Sequence, residues 1–341
     1  MGPDMRYNRP ADDFGENGMV RLLARVVVIV AALIAPAGAA EWPVKPVRIV
    51  VPYAAGGAAD TLGRLFADVL STAFGKPFYV ENRAGGGSIV GSDAVARSPA
   101  DGYTFALAGV STHVLAPAMN RNVGFDPMRD FSHVAYLGGA PNMFVVHPDF
   151  GAASFRDVMA RLRAAESSEY VSPGVGSVGN LVAEYLAASE HIRLNHVAYR
   201  GGAGALTDLV AGHVKIGMMS FQTASEQVRA GKLIPVAVSS SARLAEFPDV
   251  PTLKELGYPD LVATTWWALS APAGLPQEIA DEVNREIARS FDLPQVQRQL
   301  AQDAVEVRLM KPAEVTQFMQ AEIDKWVPVA RRLGELSREG K

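Results

Sequence analysis

From residue 47 onward the chain alternates between two periodicities. Short runs rich in β-branched and aromatic residues, at 47–53, 78–82 and 104–110, are separated by stretches whose apolar positions recur every three or four residues, up to Phe74 and up to Ala96. Strand side chains repeat every two positions and helical ones every 3.6. The pattern therefore predicts βαβαβ, the mark of a parallel sheet with crossover helices. The punctuation agrees: Asp60 is placed as an N-cap, Gly75 as a C-terminal stop and Pro77 just beyond it.

The pattern resumes after Pro141, with strands expected at 143–146, 170–172, 196–199 and 215–220, and helices at 154–165, at 177–190 and up to Gly212. A further strand is expected at 233–239 and an aromatic one at 264–271, before a helical C-terminal region. In one of those helices Ile279, Val283, Ile287 and Phe291 fall on one face, which must cover a sheet. A second sheet is the economical reading. The chain would leave the first lobe near 138–142 and return near 233–239, so that two crossing segments form a hinge. The expected division is lobe 1 at 41–141 plus 236–341 and lobe 2 at 142–235, after an N-terminal extension and signal at 1–40. In open α/β sheets ligands bind beyond the carboxyl ends of the strands. Two such lobes face each other across one cleft.

The N-terminal region changes the picture of where the chain works. Arg21 and Arg25 precede an apolar run at 26–34 and a small-residue end, Ala37-Gly38-Ala39-Ala40, as in a secretory signal cleaved near Ala39 or Ala40. That run is shorter than the ~20 residues of a membrane span. Residues 1–18 read as an over-extended start, since Met19 opens a complete signal. The length, 341 residues with 49% hydrophobic, suits two domains better than one. A net charge of -4 is a poor match to nucleic acid. The absence of cysteine removes disulfides, thiolate nucleophiles and Cys-ligated metals. Export without disulfides fits the periplasm.

Three predicted strand-to-helix turns are rich in glycine: 53–60, 172–177 and 199–204. Glycine lets backbone N–H groups approach a ligand, and a helix start leaves four N–H donors unsatisfied with partial positive charge behind them. Such turns bind anions. One glycine-rich turn is as readily a tight turn alone; three together favour an anion site. Asp60 serves equally well as a cap or as a ligand contact. Arg200 reads as a solvated side chain.

Chemistry is harder to find. Gly174, Gly176 and Gly179 spell GxGxxG, but Pro173 interrupts the turn, and the stretch 196–200 offers no acidic side chain for a ribose. Ser177 lacks the GxSxG frame, because Val175 stands two positions before it. The histidines at 113, 133, 147, 191, 196 and 213 show no metal-ligand spacing. His113, after a predicted strand, is expected to face the cleft with Ser111 and Thr112. The chain is thus read as a binding protein with no cofactor and no metal. The alternatives are a ligand-sensing accessory to a signalling kinase and an exported α/β hydrolase or oxidoreductase.

Several stretches resemble the Bug proteins, extracytoplasmic receptors of tripartite tricarboxylate transporters. The most specific are Val80-Glu81-Asn82-Arg83-Ala84-Gly85-Gly86-Gly87 and Pro99-Ala100-Asp101-Gly102-Tyr103-Thr104. The loop at 52–60, the stretch Val197-Ala198-Tyr199-Arg200-Gly201-Gly202, and the motifs Pro248-Asp249-Val250-Pro251-Thr252 and 271–276 are similar to family motifs as well. Asn180 departs from them, standing where many members carry histidine. The resemblance implies a periplasmic-binding-protein (Venus-flytrap, type II-like) fold of two α/β lobes. It also implies a small carboxylate ligand and membrane transporter subunits as partners; a monomer is expected.

The expected ligand contacts combine both lines of reasoning. From the first turn they are Tyr53, Gly56, Gly57, Ala58 and Asp60, and from the 104–110 strand end Ser111, Thr112 and His113. The second lobe gives Ser172, Gly174, Gly176, Ser177 and Asn180, then Tyr199, Gly201, Gly202 and Asp208. Trp266 completes the set, with the condition that it and Trp267 point to opposite faces of their strand, so that at most one reaches the cleft.

Overall fold

The computed structural model describes residues 42–119 and 123–339. The expected signal and its cleavage point lie outside them. Strands β1 (Val47–Val51), β2 (Phe78–Asn82) and β3 (Thr104–Gly109) pair in parallel with β1 in the middle. Helices α1 (Ala58–Phe74) and α2 (Ile89–Ala96) make the crossovers. Helix α1 stops at Gly75, whose φ of 63° is the left-handed conformation that glycine adopts without strain.

Strand β4 (Phe131–Val146) is the main departure from expectation, which began a strand only at residue 143. Gly138, Gly139 and Pro141 look like loop punctuation, and register shifts between His133 and Ala135 and between Tyr136 and Gly138 break the two-residue alternation. Those glycines are close-approach positions. A Cβ at Gly138 would lie 2.3 Å from the Val305 side chain, and Gly139 exchanges backbone hydrogen bonds of 2.9 and 2.8 Å with Glu306.

The remaining strands are β5 (Ser168–Ser172), β6 (Leu194–Ala198), β7 (Ile216–Ser220), β8 (Ile234–Val238) and β9 (Thr264–Pro272). The first part of β4 pairs antiparallel with β9, and Asn142–Val146 pairs with β7 and β8. The result is one continuous mixed sheet, in the order β2-β1-β3-β9-β4-β7-β5-β6 with β8 alongside β4, rather than two separate sheets. Two α/β lobes are still present, because β4 belongs to both.

Helices α3 (Phe155–Ala164), α4 (Val178–Glu190), α5 (Gly202–Val210) and α6 (Phe221–Arg229) cover the second half. The sequence reading left α6 out; it follows β7 with no intervening loop. Strand β8 pairs along the second half of β4, and the segment after it stays there: Tyr185 donates to Asp260 at 3.0 Å and Val250 shares a core with Met143 and Val171.

Helix α7 (Gln277–Ser290) buries Val283 and Ile287 as its pattern predicted, and Phe291 beyond its end packs edge-on against Phe66 of α1. After α8 (Pro294–Gln302), α9 (Pro312–Glu339) inserts Val315, Met319, Trp326 and Ala330 into a core shared with Leu181 and Leu186 of α4. It therefore braces both halves. Among the described residues no helix is long and apolar enough to cross a membrane.

Candidate functional site

A cleft of about 560 Å³, including the space at its mouth, opens between the two half-sheets where strands end and helices begin. Four helix starts border it: Gly57 to Ala59 of α1, Ser177 to Gly179 of α4, Gly202 of α5, and Ser220 and Thr223 of α6. Asn142, at the point where β4 passes from one half to the other, and Thr265 of β9 complete the polar wall, joined by a 2.9 Å side-chain hydrogen bond. Among the described residues no Asp, Glu, Lys, Arg or His borders the cleft.

At α1 the cap is Gly57, not Asp60. Asp60 is the third helical residue and reaches back, accepting from the Gly56 N–H, the Asn82 amide and Arg64 at 2.9 to 3.0 Å. Burial opposes its ionisation, yet the bonds from Arg64, Gly56 and Asn82 outweigh burial and hold the carboxyl below its usual range. Asp60 is only 5% exposed, so it fixes the turn rather than facing the cleft. Gly56, with φ of 86°, is the bend it fixes. Tyr53 and Ala58 do border the cleft; burial, eased by the Ser111 and Ser88 hydroxyls, pushes the Tyr53 phenol up to about 12, so it stays neutral.

After β3 the chain makes a single wide helical turn at Val110–Leu115. Ser111 and Thr112 border the cleft, but His113 is fully buried behind them. Its ring packs 4.5 Å from Phe131, and its Nδ1 is 2.8 Å from the Thr112 hydroxyl. Burial, and then nearby His133, holds His113 well below its usual pKa; burial takes His133 to about 4 against the opposing Pro127 carbonyl. Both rings titrate near 6.5 once unfolded, so below that pH the unfolded chain binds more protons. Their contribution to stability is complete above about 6.5 and declines as pH falls toward 4. Thermal unfolding measured across that window should lose stability more gently in His133→Gln than in the wild type; identical slopes would rule the account out.

In the second half, Ser177 caps α4 by accepting from the Asn180 N–H at 3.1 Å, and it donates to Ser172 at 3.1 Å. Asn180 stays buried behind the wall, its side chain accepting from the Gly176 N–H and donating to the Tyr170 hydroxyl. It is a scaffold group for the turn. Ser172 contacts His196 at 2.8 Å, a pairing that could suggest a nucleophile and base. Ser172 is fully buried, however, and burial lowers His196 to about 4, leaving a weak base with no access to the cleft.

Gly174 and Tyr199 lie beside the cleft in a recess shared with Tyr53, Ser177 and Arg200. Gly176 packs against Ala116, where a Cβ would lie 3.1 Å from the backbone. Asp208 accepts from the Tyr199 hydroxyl and from His213, away from the cleft. Gly201, with φ of 148°, caps α5. The two halves touch here. The Ala54 N–H donates to the Arg200 carbonyl at 2.9 Å, and a Cβ on Gly57 would be 3.4 Å from the Gly202 nitrogen. The α1 and α5 starts are therefore neighbours.

Trp266 and Trp267 both border the cleft, but they are not equivalent. The Trp266 indole donates to Glu322 of α9 at 2.6 Å and packs on Phe318, so its ring is tied to the α9 side of the sheet. Trp267, adjacent on β9, projects to the other face. Sequence reasoning missed Asn142, Val178, Gly179, Ser220, Thr223 and Thr265, and it named Trp266 for the cleft while leaving Trp267 as the alternative. Ser220 was within reach, since it ends a predicted strand.

Comparison with known proteins agrees with this geometry. The family model described as "Tripartite tricarboxylate transporter family receptor" matches residues 62–335. Protein BugT of Bordetella pertussis is 31% identical over 320 residues, covering 93% of this chain and 98% of the relative. Among solved structures, the R. palustris protein with adipate has a TM-score of 0.82 at 30% identity, covering 86% of this chain and 98% of that one. The Rhodopseudomonas palustris protein MatC, with bound malate, has a TM-score of 0.81 at 28% identity, covering 85% and 100%. These relatives are solute-binding proteins rather than enzymes, and the chain itself belongs to the tripartite tricarboxylate transporter receptor family, the Bug-type periplasmic binding proteins.

Proposed function

We propose that this receptor captures a dicarboxylate with an apolar body, holding its charges on main-chain amides, and delivers it to a membrane transporter. The observation that carries this reading is a cleft bordered by four helix starts and, among the described residues, by no ionisable side chain other than neutral Tyr53. Each helix start presents about half a positive charge, so four together balance roughly two negative charges. That matches a dicarboxylate better than a tricarboxylate. Hydrogen bonds to a charged group contribute about 1.5 to 3 kcal/mol each, and micromolar affinity needs about 8 kcal/mol, so four to six amides suffice even after ordering costs.

The rest of the wall favours an apolar body. Tyr53, Ala58, Pro173, Val178 and Trp267 contribute carbon surface between the polar groups. Adipate in one relative and malate in another bracket the choice, and the wall chemistry here is closer to what adipate needs. The contacts we assign are the amides at Gly57, Ala58, Val178, Gly179 and Gly202, the hydroxyls of Ser111 and Thr265, and the Asn142 amide; the Thr112 and Ser177 hydroxyls donate to the Gly109 carbonyl and to Ser172 instead. Tyr53 and Trp267 are the aromatic walls. His113, Ser172, Asn180, Asp60 and Asp208 hold these groups in place without touching the ligand.

The reading extends to the whole receptor. We place the second crossing at Ala263 and Thr264 rather than near residue 236, because β8 and the segment after it pack with the second half. The protein acts as a periplasmic monomer after cleavage near Ala39 or Ala40. A thermal-shift screen of organic acids tests the function: a ligand at about 100 times its Kd should stabilise the protein by about 2.7 kcal/mol. A panel covering mono-, di- and tricarboxylates with no stabilisation would overturn it.

A further inference from the structure

We propose that the cavity behind Trp266 is a second small-molecule site, shaped for a zwitterion with an apolar body such as a large α-amino acid. It lies on the α9 side of the sheet, enclosing about 880 Å³ with its mouth. Its location is distinctive. Gly139 and Pro141 of the first crossing, Val262 and Thr264 of the second, and Ser240 just after β8 all border it, so the cavity sits against both connections between the lobes.

The chemistry differs from that of the cleft. The apolar surface is aromatic: Trp266, Phe318, Trp326 and Tyr136. The charges are Glu306, Glu322, Arg308 and Lys325, two of each sign, and among the described residues none of the four has an ion-pair partner. Glu322 is the fixed point. Its Oε2 accepts from both the Trp266 indole at 2.6 Å and the Trp326 indole at 3.1 Å, which holds the carboxylate beside the aromatic surface with Oε1 uncommitted. Arg308 lies 6.0 Å from the centre of the Phe318 ring and Lys325 lies 4.4 Å from that of Trp326, so both cations are poised over the same surface. Carboxylates and cations in equal number around an aromatic floor complement a molecule that carries both charges and a hydrocarbon side chain. A simple anion or cation would leave two like charges unmatched.

Isothermal titration of the purified full chain with L-leucine and L-phenylalanine tests this site. Leucinamide, lacking the carboxylate, and 4-methylpentanoate, lacking the amine, serve as controls. The expected result is binding that weakens at least about tenfold for both controls, and by a similar factor in Glu322→Gln and in Arg308→Gln. Glutamine can still accept from the indoles, and Arg308 is exposed, so both variants should fold. The cleft variant Gly57→Asp should leave leucine binding within about twofold, while adipate binding by Glu322→Gln reports that its cleft is intact. No binding tighter than about 10 mM, or binding lost in Gly57→Asp but retained in Glu322→Gln, would overturn the second site. Neither result bears on whether the cleft takes a dicarboxylate.

Discussion

Replacing Gly57 by aspartate should abolish dicarboxylate binding without weakening the fold. Gly57 caps α1 in extended conformation, with φ of -95°, so a side chain meets no backbone strain there. Aspartate is among the best N-cap residues, which makes the substitution neutral or slightly stabilising for the helix. Its carboxylate, however, would sit at the amides that bind the ligand, close to the α5 start. Two like charges about 4 Å apart cost about 4 kcal/mol at the effective dielectric of a protein surface, close to a thousandfold in affinity. Gly57→Asn adds the same bulk without the charge and should lose far less. Titration calorimetry paired with chemical denaturation reads both quantities. Wild-type affinity in the aspartate variant would mean that the charge is held elsewhere.

The second large effect is a ladder across linear dicarboxylates. If the carbon surface of Tyr53, Val178 and Trp267 holds the body of the ligand, each added methylene that becomes buried contributes about 0.8 kcal/mol, or nearly fourfold. Affinity should rise from succinate through glutarate to adipate, then level off once the chain outgrows the cleft. Citrate should bind worst, since four helix starts balance about two negative charges and leave its third carboxylate unmatched. An order led by citrate or malate would remove the apolar-body part of the proposal and leave the amide clamp standing.

The sequence carried the parts of this fold that are set by local periodicity. Strand β2 and the ends of α1 and α2 fell where the pattern placed them, because apolar spacing and the Gly75 stop are properties of neighbouring residues. Strand β4 was half hidden. Its two register shifts, and glycines whose reason is contact with Val305 and Glu306 far along the chain, erase the alternation that marks a strand. The single sheet was invisible for the same reason, since it depends on one strand serving both halves.

The site was legible where it rests on helix starts and obscure where it rests on tertiary packing. Gly57, Ser177 and Gly202 could be named because a glycine-rich turn before a helix has a local signature. Asn142 could not, because its place on the wall comes from the pairing of β4 with β9, more than a hundred residues away. The sequence allowed one of Trp266 and Trp267 to face the cleft but not which one; only the bond from Trp266 to Glu322 separates them. His113 follows the right strand, but a wide turn with Phe131 behind it turns the ring inward.

The most direct measurement is a crystal structure of the receptor with adipate bound. The expected result places each carboxylate within about 2.7 to 3.2 Å of first-turn amides, one group at the adjoining α1 and α5 starts and the other at the α4 or α6 start. A carboxylate paired instead with an arginine or lysine side chain, or a ligand lying outside the cleft, would contradict main-chain capture.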